Sequence, residues 1–197
     1  MREDIHIMVR ANGSYFKGDG MKYVDHLIKS MEYLAEDART VFIGQSVKYS
    51  GNSIYNTLKT IPDEKKIETP VFEETQMGLS IGLALEGYVP VTCYPRFDFL
   101  LLAVNQLVNH LDKMEEMTRG TFKPRVIIRT SIGAKVPLNG GLQHTQDHTE
   151  AFRLLLDNVD VVLLKDKEDI QPAYQNALTR EDGKSTLIIE YGEYYNQ

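Results

Sequence analysis

A glutamate that opens a helix, a histidine on a glycine-rich loop and an aromatic at a strand end are the residues with chemistry to offer. Glu73-Glu74 follows Thr69-Pro70, and proline keeps the residue before it out of the helical region, so a helix is expected to start only after that point. Acids in a first helical turn complement the macrodipole. The same position also holds a carboxyl group at the mouth where sheet crevices bind ligands. His144 lies in Gln143-His144-Thr145-Gln146-Asp147-His148, behind Gly140-Gly141. Two histidines four apart with an aspartate between them suggest a metal, but a loop does not fix that spacing and no third ligand is apparent. A titrating imidazole on a loop is the better reading, because loops carry catalytic groups. Phe97-Asp98-Phe99 follows Pro95-Arg96 at a strand end. Its aromatics read as core or as a ligand platform, and Asp98 reads equally as a helix N-cap.

The elements that must position these groups follow from periodicity. Val24, Leu27, Ile28, Met31 and Leu34 recur at helical steps, which predicts a helix from Met21 to about Ala38. Thr40 to Gly44 has strand composition, and a polar stretch runs from Gln45 to Ser53 with Gly51-Asn52 as turn residues. Met77, Ile81, Ala84 and Leu85 form a second helical stripe with Gly87 as its C-cap. Gly78 and Gly82 share one face of that helix, where close approach of a helix or ligand would explain the cost of glycine. Beyond it, strands are expected at 89–94, 125–130, 159–164 and 185–190, and helices at 99–117, 149–156 and 168–178. The Gly-rich stretch 131–146 is expected as a loop. This alternation predicts an α/β fold, a parallel β-sheet flanked by helices on both faces.

Composition narrows the class. Apolar residues at 42% and charged residues at 25% describe a globular chain that can bury a core. With 22 basic against 28 acidic residues the net charge is −6, so neither nucleic acid nor an anionic membrane surface is the expected partner. The lone Cys93 excludes an internal disulfide framework and a Cys-rich zinc site. No apolar run is long enough to span a bilayer, and residues 1–20 lack the apolar stretch of a signal peptide. A cytoplasmic chain is expected, with an N-terminal extension at 1–20 and one domain at 21–197.

Several pieces then follow in one order: Thr69-Pro70-Val71-Phe72-Glu73, Gly78-Leu79-Ser80-Ile81-Gly82-Leu83-Ala84, Gly87, Pro90, Phe97-Asp98-Phe99, Gln106, Asn109, Arg129, Gly133-Ala134 and Gln143-His144-Thr145-Gln146. This series resembles the pyrimidine-binding domain of transketolase-like thiamin-diphosphate enzymes. It is most similar to the beta subunit of the decarboxylating dehydrogenase in pyruvate and branched-chain oxo-acid dehydrogenase complexes. The Gln-His-Thr-Gln loop favours that subfamily over transketolase or deoxyxylulose-phosphate synthase, which carry differently written histidine loops. The resemblance covers about Met21 to Tyr191, and its specificity lies in the ordered set, not in one motif.

The resemblance implies roles residue by residue. Glu73 falls on the glutamate that hydrogen-bonds N1′ of the cofactor's aminopyrimidine, promoting the imino tautomer whose N4′ takes the proton from thiazolium C2. Phe99 falls on the aromatic that packs against the pyrimidine ring, and His144 on the loop histidine near the substrate. No metal ligand is expected on this chain. Gly18-Asp19-Gly20 looks like the family's magnesium motif, but no strand precedes it and 31 residues separate it from the next asparagine, Asn52; it reads as a turn.

Three departures stand beside this. Family beta subunits carry a further C-terminal domain, while this sequence stops at Gln197. Gln45-Ser46 replaces the acidic pair after the first strand, and residues around Val136 to Gly141 lengthen the histidine loop. The resulting expectation is a stand-alone pyrimidine-domain subunit that acts on an oxo acid or ketose. A separate alpha-like chain would hold the diphosphate and Mg2+ of thiamin diphosphate, the pair doubling to a heterotetramer. The alternative is a catalytically silent module serving in binding or assembly.

Overall fold

The computed structural model describes residues 20–136 and 139–196; the expected extension at 1–20 lies, but for Gly20, outside the described residues. Six strands, β1 (Thr40–Gly44), β2 (Lys66–Glu68), β3 (Val89–Tyr94), β4 (Ile127–Ile132), β5 (Asp160–Leu163) and β6 (Thr186–Tyr191), form one parallel sheet. Their order is β2-β1-β3-β4-β6-β5. Between them run α1 (Tyr23–Glu36), α2 (Ser53–Thr57), α3 (Glu73–Leu85), α4 (Phe97–Leu100), α5 (Met114–Met117), α6 (Thr149–Leu155) and α7 (Ile170–Thr179).

Parallel strands buried on both faces need two cores, and the strands supply them by alternation. Ile127 and Ile188 point into one core, with Leu27, Met31 and Leu34 of α1 and Tyr174 and Ala177 of α7. Ile128, Leu187 and Ile189 point into the other, with Met77 and Ile81 of α3, the segment from Phe97 to Leu111, and Phe152 of α6. The expected sheet with helices on both faces is what the chain adopts.

One charged network crosses the first core. Arg129 on β4 and Glu190 on β6 are both fully buried and paired, with Nε to Oε1 at 2.7 Å and Nη2 to Oε2 at 3.1 Å. Nη1 of Arg129 donates to Thr57 Oγ1 at 2.8 Å, and the hydroxyls of Tyr174 and Tyr195 donate to the Glu190 carboxylate. Burial first, then the Glu190 charge, pushes both phenols well up, so they remain donors. Opposite charges and three hydroxyls thus satisfy one another.

Two regions differ from expectation. Between β1 and α3 the chain inserts α2, where Asn52 Oδ1 accepts Tyr55 N–H at 3.1 Å, and the short edge strand β2. The helix expected over 99–117 is instead α4, a 3₁₀ turn at Leu101–Ala103, a π-helical segment at Gln106–Leu111, and α5. Asp112 explains the widening. Its N–H bonds back five residues to the Leu107 carbonyl, and its buried carboxylate accepts the backbone N–H groups of Asp157, Asn158 and Val159. A regular turn would aim that carboxylate elsewhere and leave three donors bare.

Gly87 caps α3 with φ +89, as expected. The close approach expected at Gly78 and Gly82 is not made among the described residues. A Cβ on Gly78 would meet Gln106 at an ordinary 3.7 Å, and one on Gly82 would meet nothing within 4 Å.

Candidate active site

The chain leaves β1 for β2 on one side and returns through α3 to β3 on the other. This reversal puts the topological switch point between β1 and β3, and the carboxyl ends of the strands at such a point are where open parallel sheets bind ligands. Glu73 is the first residue of α3 and points its helix end to this edge, half-buried. Its carbonyl accepts the Tyr94 hydroxyl at 3.2 Å, which ties the helix start to the end of β3. The cap residue, Phe72, offers no side-chain hydrogen bond to the first turn.

One turn on, Gln76 bridges α3, β1 and β3. Only 3% exposed, its Nε2 donates to Thr92 Oγ1 at 2.9 Å, Cys93 O at 3.1 Å and Ile43 O at 3.4 Å. A single amide therefore locks α3 to both strands. Gly44 leaves room for it, because a Cβ there would lie 2.5 Å from the Cys93 carbonyl and 3.3 Å from Gln76 Nε2. Cys93 itself is buried, its thiol pushed up to about 12 by desolvation, so it offers no nucleophile.

Gln45 and Ser46 sit in the loop after β1. A carboxylate does reach that loop, but from β2: Glu68 accepts the N–H groups of Ser46 at 2.5 Å, Val47 at 2.9 Å and Lys48 at 2.8 Å.

On the other side of β3, Phe99 and His144 meet edge to face, with ring centroids 5.5 Å apart and planes at 89°. The loop reaches Phe99 because two glycines let it. A Cβ on Gly133 would lie 1.8 Å from the His144 carbonyl and 1.9 Å from Arg96 Nη1, and one on Gly140 would lie 2.8 Å from His144 Cβ. Arg96 straps the loop down, donating to the His144 carbonyl at 2.9 Å and to that of Ala134 at 3.3 Å. Nδ1 of His144 is buried and has no partner among the described residues. Asp98 is not the helix cap it resembled: Arg96 holds that position, and Asp98 Oδ1 accepts Gln146 Nε2 at 2.8 Å.

Glu73, Phe99 and His144 thus share the carboxyl edge of the sheet, the first reaching it through α3 and the others directly opposed. Among the described residues no group of three or more His, Cys, Asp or Glu side chains is placed to hold a metal ion. No helix among them is long and apolar enough to cross a membrane.

Residues 29–196 match the family described as transketolase, pyrimidine binding domain. The pyruvate dehydrogenase E1 component subunit beta of Gracilaria tenuistipitata is 26% identical over 169 residues, covering 84% of this chain and 50% of that protein. A 3-methyl-2-oxobutanoate dehydrogenase subunit beta of Mycobacterium tuberculosis is 29% identical over 137 residues, covering 66% of this chain and 37% of its own. The chain therefore spans about half the length of such relatives, or less. Among solved structures, an inactive beta4 tetramer of a split-gene transketolase aligns with a TM-score of 0.62 at 18% identity, over 86% of this chain and 49% of that one. Transketolase from Leishmania mexicana aligns at 0.65 and 14%, over 85% and 25%. These last two speak for the fold. By the match over residues 29–196, this chain belongs to the transketolase pyrimidine-binding domain family.

Proposed function

We propose that the chain is the pyrimidine-domain subunit, over 21–197, of a cytoplasmic thiamin-diphosphate enzyme that acts on an oxo acid or a ketose. The observation that supports this reading is one shared edge of the sheet: a carboxyl at the start of α3, and an aromatic faced by an imidazole. These donors suit an aminopyrimidine. A carboxyl can share a proton with a ring nitrogen, a half-buried phenyl can pack on a ring, and a half-buried imidazole can serve a reacting oxygen.

When bound, the cofactor supplies a carbon nucleophile that adds to the substrate carbonyl. Glu73 would hold the proton at N1′ of the aminopyrimidine. Phe99 would orient that ring, and His144 would move a proton to, or hydrogen-bond, the oxygen that gains charge. An alpha-like partner chain would hold the diphosphate and Mg2+, the two chains doubling to a heterotetramer. Decarboxylation of a pyruvate-like acid is the first reaction to assay, with acyl or ketol transfer second.

The test is a tagged pull-down from the native host followed by turnover assays. A stoichiometric chain carrying Gly-Asp-Gly and a downstream asparagine is expected. In the reconstituted enzyme Glu73→Gln should lower kcat about 10²- to 10⁴-fold, the usual worth of a positioned acid or base. Full activity in that variant sinks the proposal. The second reading, a binding module, draws on Gln45-Ser46 at the end of β1. It predicts normal assembly when Glu73, Phe99 and His144 are all changed to alanine, and no cofactor-dependent turnover before or after.

A further inference from the structure

Phe97, Asp98 and Phe99 each meet one residue of the histidine loop, in reverse order. Phe97 and His148 lie edge to face at 5.4 Å and 81°. Asp98 Oδ1 accepts Gln146 Nε2 at 2.8 Å. Phe99 and His144 lie edge to face at 5.5 Å and 89°. Residues 144, 146 and 148 therefore turn toward α4, while Thr145 and Asp147 bond along the loop, to Gly141 O and to Thr149. Alternation of this kind is a register, and a slip of one residue would bring Thr145 to Phe99 in place of the imidazole.

The middle contact is the one that can hold the register. Edge-to-face ring pairs tolerate sliding, whereas a charge-assisted hydrogen bond specifies both partners. The Asp98 side chain is only 6% exposed, its Oδ1 lies 3.9 Å from His148 Nε2, and its buried Oδ2 has no partner among the described residues. A carboxylate taken out of water with so few bonds is costly. Arg96 grips the His144 carbonyl but not its ring.

We propose that Asp98 is a positioning residue, which sets the His144 imidazole against Phe99 through Gln146 and His148. The catalytic consequence rests on the function proposed above; the geometric claim does not.

The experiment is ¹H–¹³C NMR of the full chain with ¹³C-labelled histidine. The His144 ring resonance is identified by its loss in His144→Gln, and its Phe99 ring-current displacement by Phe99→Leu. Asp98→Ala and Gln146→Ala should each remove most of that displacement. Asp98→Asn, which keeps an acceptor for Gln146, should retain at least half of it. Gln146 is exposed, so its alanine variant folds and decides the matter even where Asp98→Ala does not.

In the reconstituted enzyme the two alanine variants should lower kcat about 10- to 100-fold, as for a catalytic group displaced by about an ångström. Thiamin diphosphate should bind within about twofold of its original affinity, since neither residue is assigned to the cofactor. An unmoved His144 resonance in Gln146→Ala overturns the proposal whatever the turnover. A displacement lost in the variants of a chain with no turnover at all supports the positioning and refutes the enzyme reading.

Discussion

Replacing Arg129 by methionine removes one charge from a core that holds two. Both members of the Arg129–Glu190 pair are 0% exposed, so the variant strands a carboxylate whose remaining donors are the hydroxyls of Tyr174 and Tyr195. Breaking a buried pair from one side costs about 3–5 kcal/mol. For a chain of this size each kcal/mol moves the melting temperature by about 2–4 °C, so a fall of about 6–20 °C is expected. Taking Glu190 to leucine as well removes the stranded charge and should recover part of the loss. The recovery stays incomplete because two hydroxyls, those of Tyr174 and Tyr195, then lose their acceptor at about 1–3 kcal/mol each when left bare, while Thr57 keeps its bond to the Ile54 carbonyl. Circular dichroism melts with a urea titration measure both quantities. A single variant melting within about 2 °C of the parent, or a double variant no better than the single, refutes the reasoning.

Two further outcomes are expected. Gly133→Ala places a Cβ 1.8 Å from the His144 carbonyl, so the loop must move by more than an ångström; kcat should fall about 10²-fold and the His144–Phe99 ring displacement should vanish, and an unshifted ring spectrum refutes the steric account. Side-chain hydrogen bonds from Arg39 and Arg180 hold Asp37 and Asp182 at about 2, below their ordinary 3.8. Carboxyls depressed in the fold stabilise it above the ordinary value, and that contribution is lost as pH falls from about 4 to 2. The double Asp37→Asn, Asp182→Asn chain should lose less melting temperature over that window than the parent, and equal slopes count against it.

Where sequence and structure agree, the signal was local. The stripe of Leu27, Met31 and Leu34 and the apolar run Val126-Ile127-Ile128 that leads into β4 each report the surface they bury. Where they part, the cause lies far along the chain. Strand β2 has one apolar residue, Ile67 between Lys66 and Glu68, and exists because β1 offers it an edge. The break in the expected 99–117 helix answers to three backbone donors at 157–159, which no periodicity of its own could report. Glu73, Phe99 and His144 stood out by type and place, yet Gln76 and the pairing of 97–99 with 148–144 needed the fold itself. Asp98 resembled a cap because aspartate before an apolar run usually is one; its partner lies 48 residues on.

The strand order carries a consequence for how the chain acquires its shape. β6 follows the other five described strands in sequence, but it lies inside the sheet, between β4 and β5. As the chain emerges from its N-terminus, one edge of β4 and the whole of β5 must wait for residues 186–191. Glu190 arrives with that strand, so Arg129 has no counter-charge in the core until then. Closure is thus a late insertion into an interior slot, not growth at an edge. Parallel pairings over long separations form slowly, and the waiting edges are open to pairing with other chains. The intermediate that lacks β6 is where this fold is most exposed to aggregation during synthesis, and where a chaperone that shields strand edges would help it most.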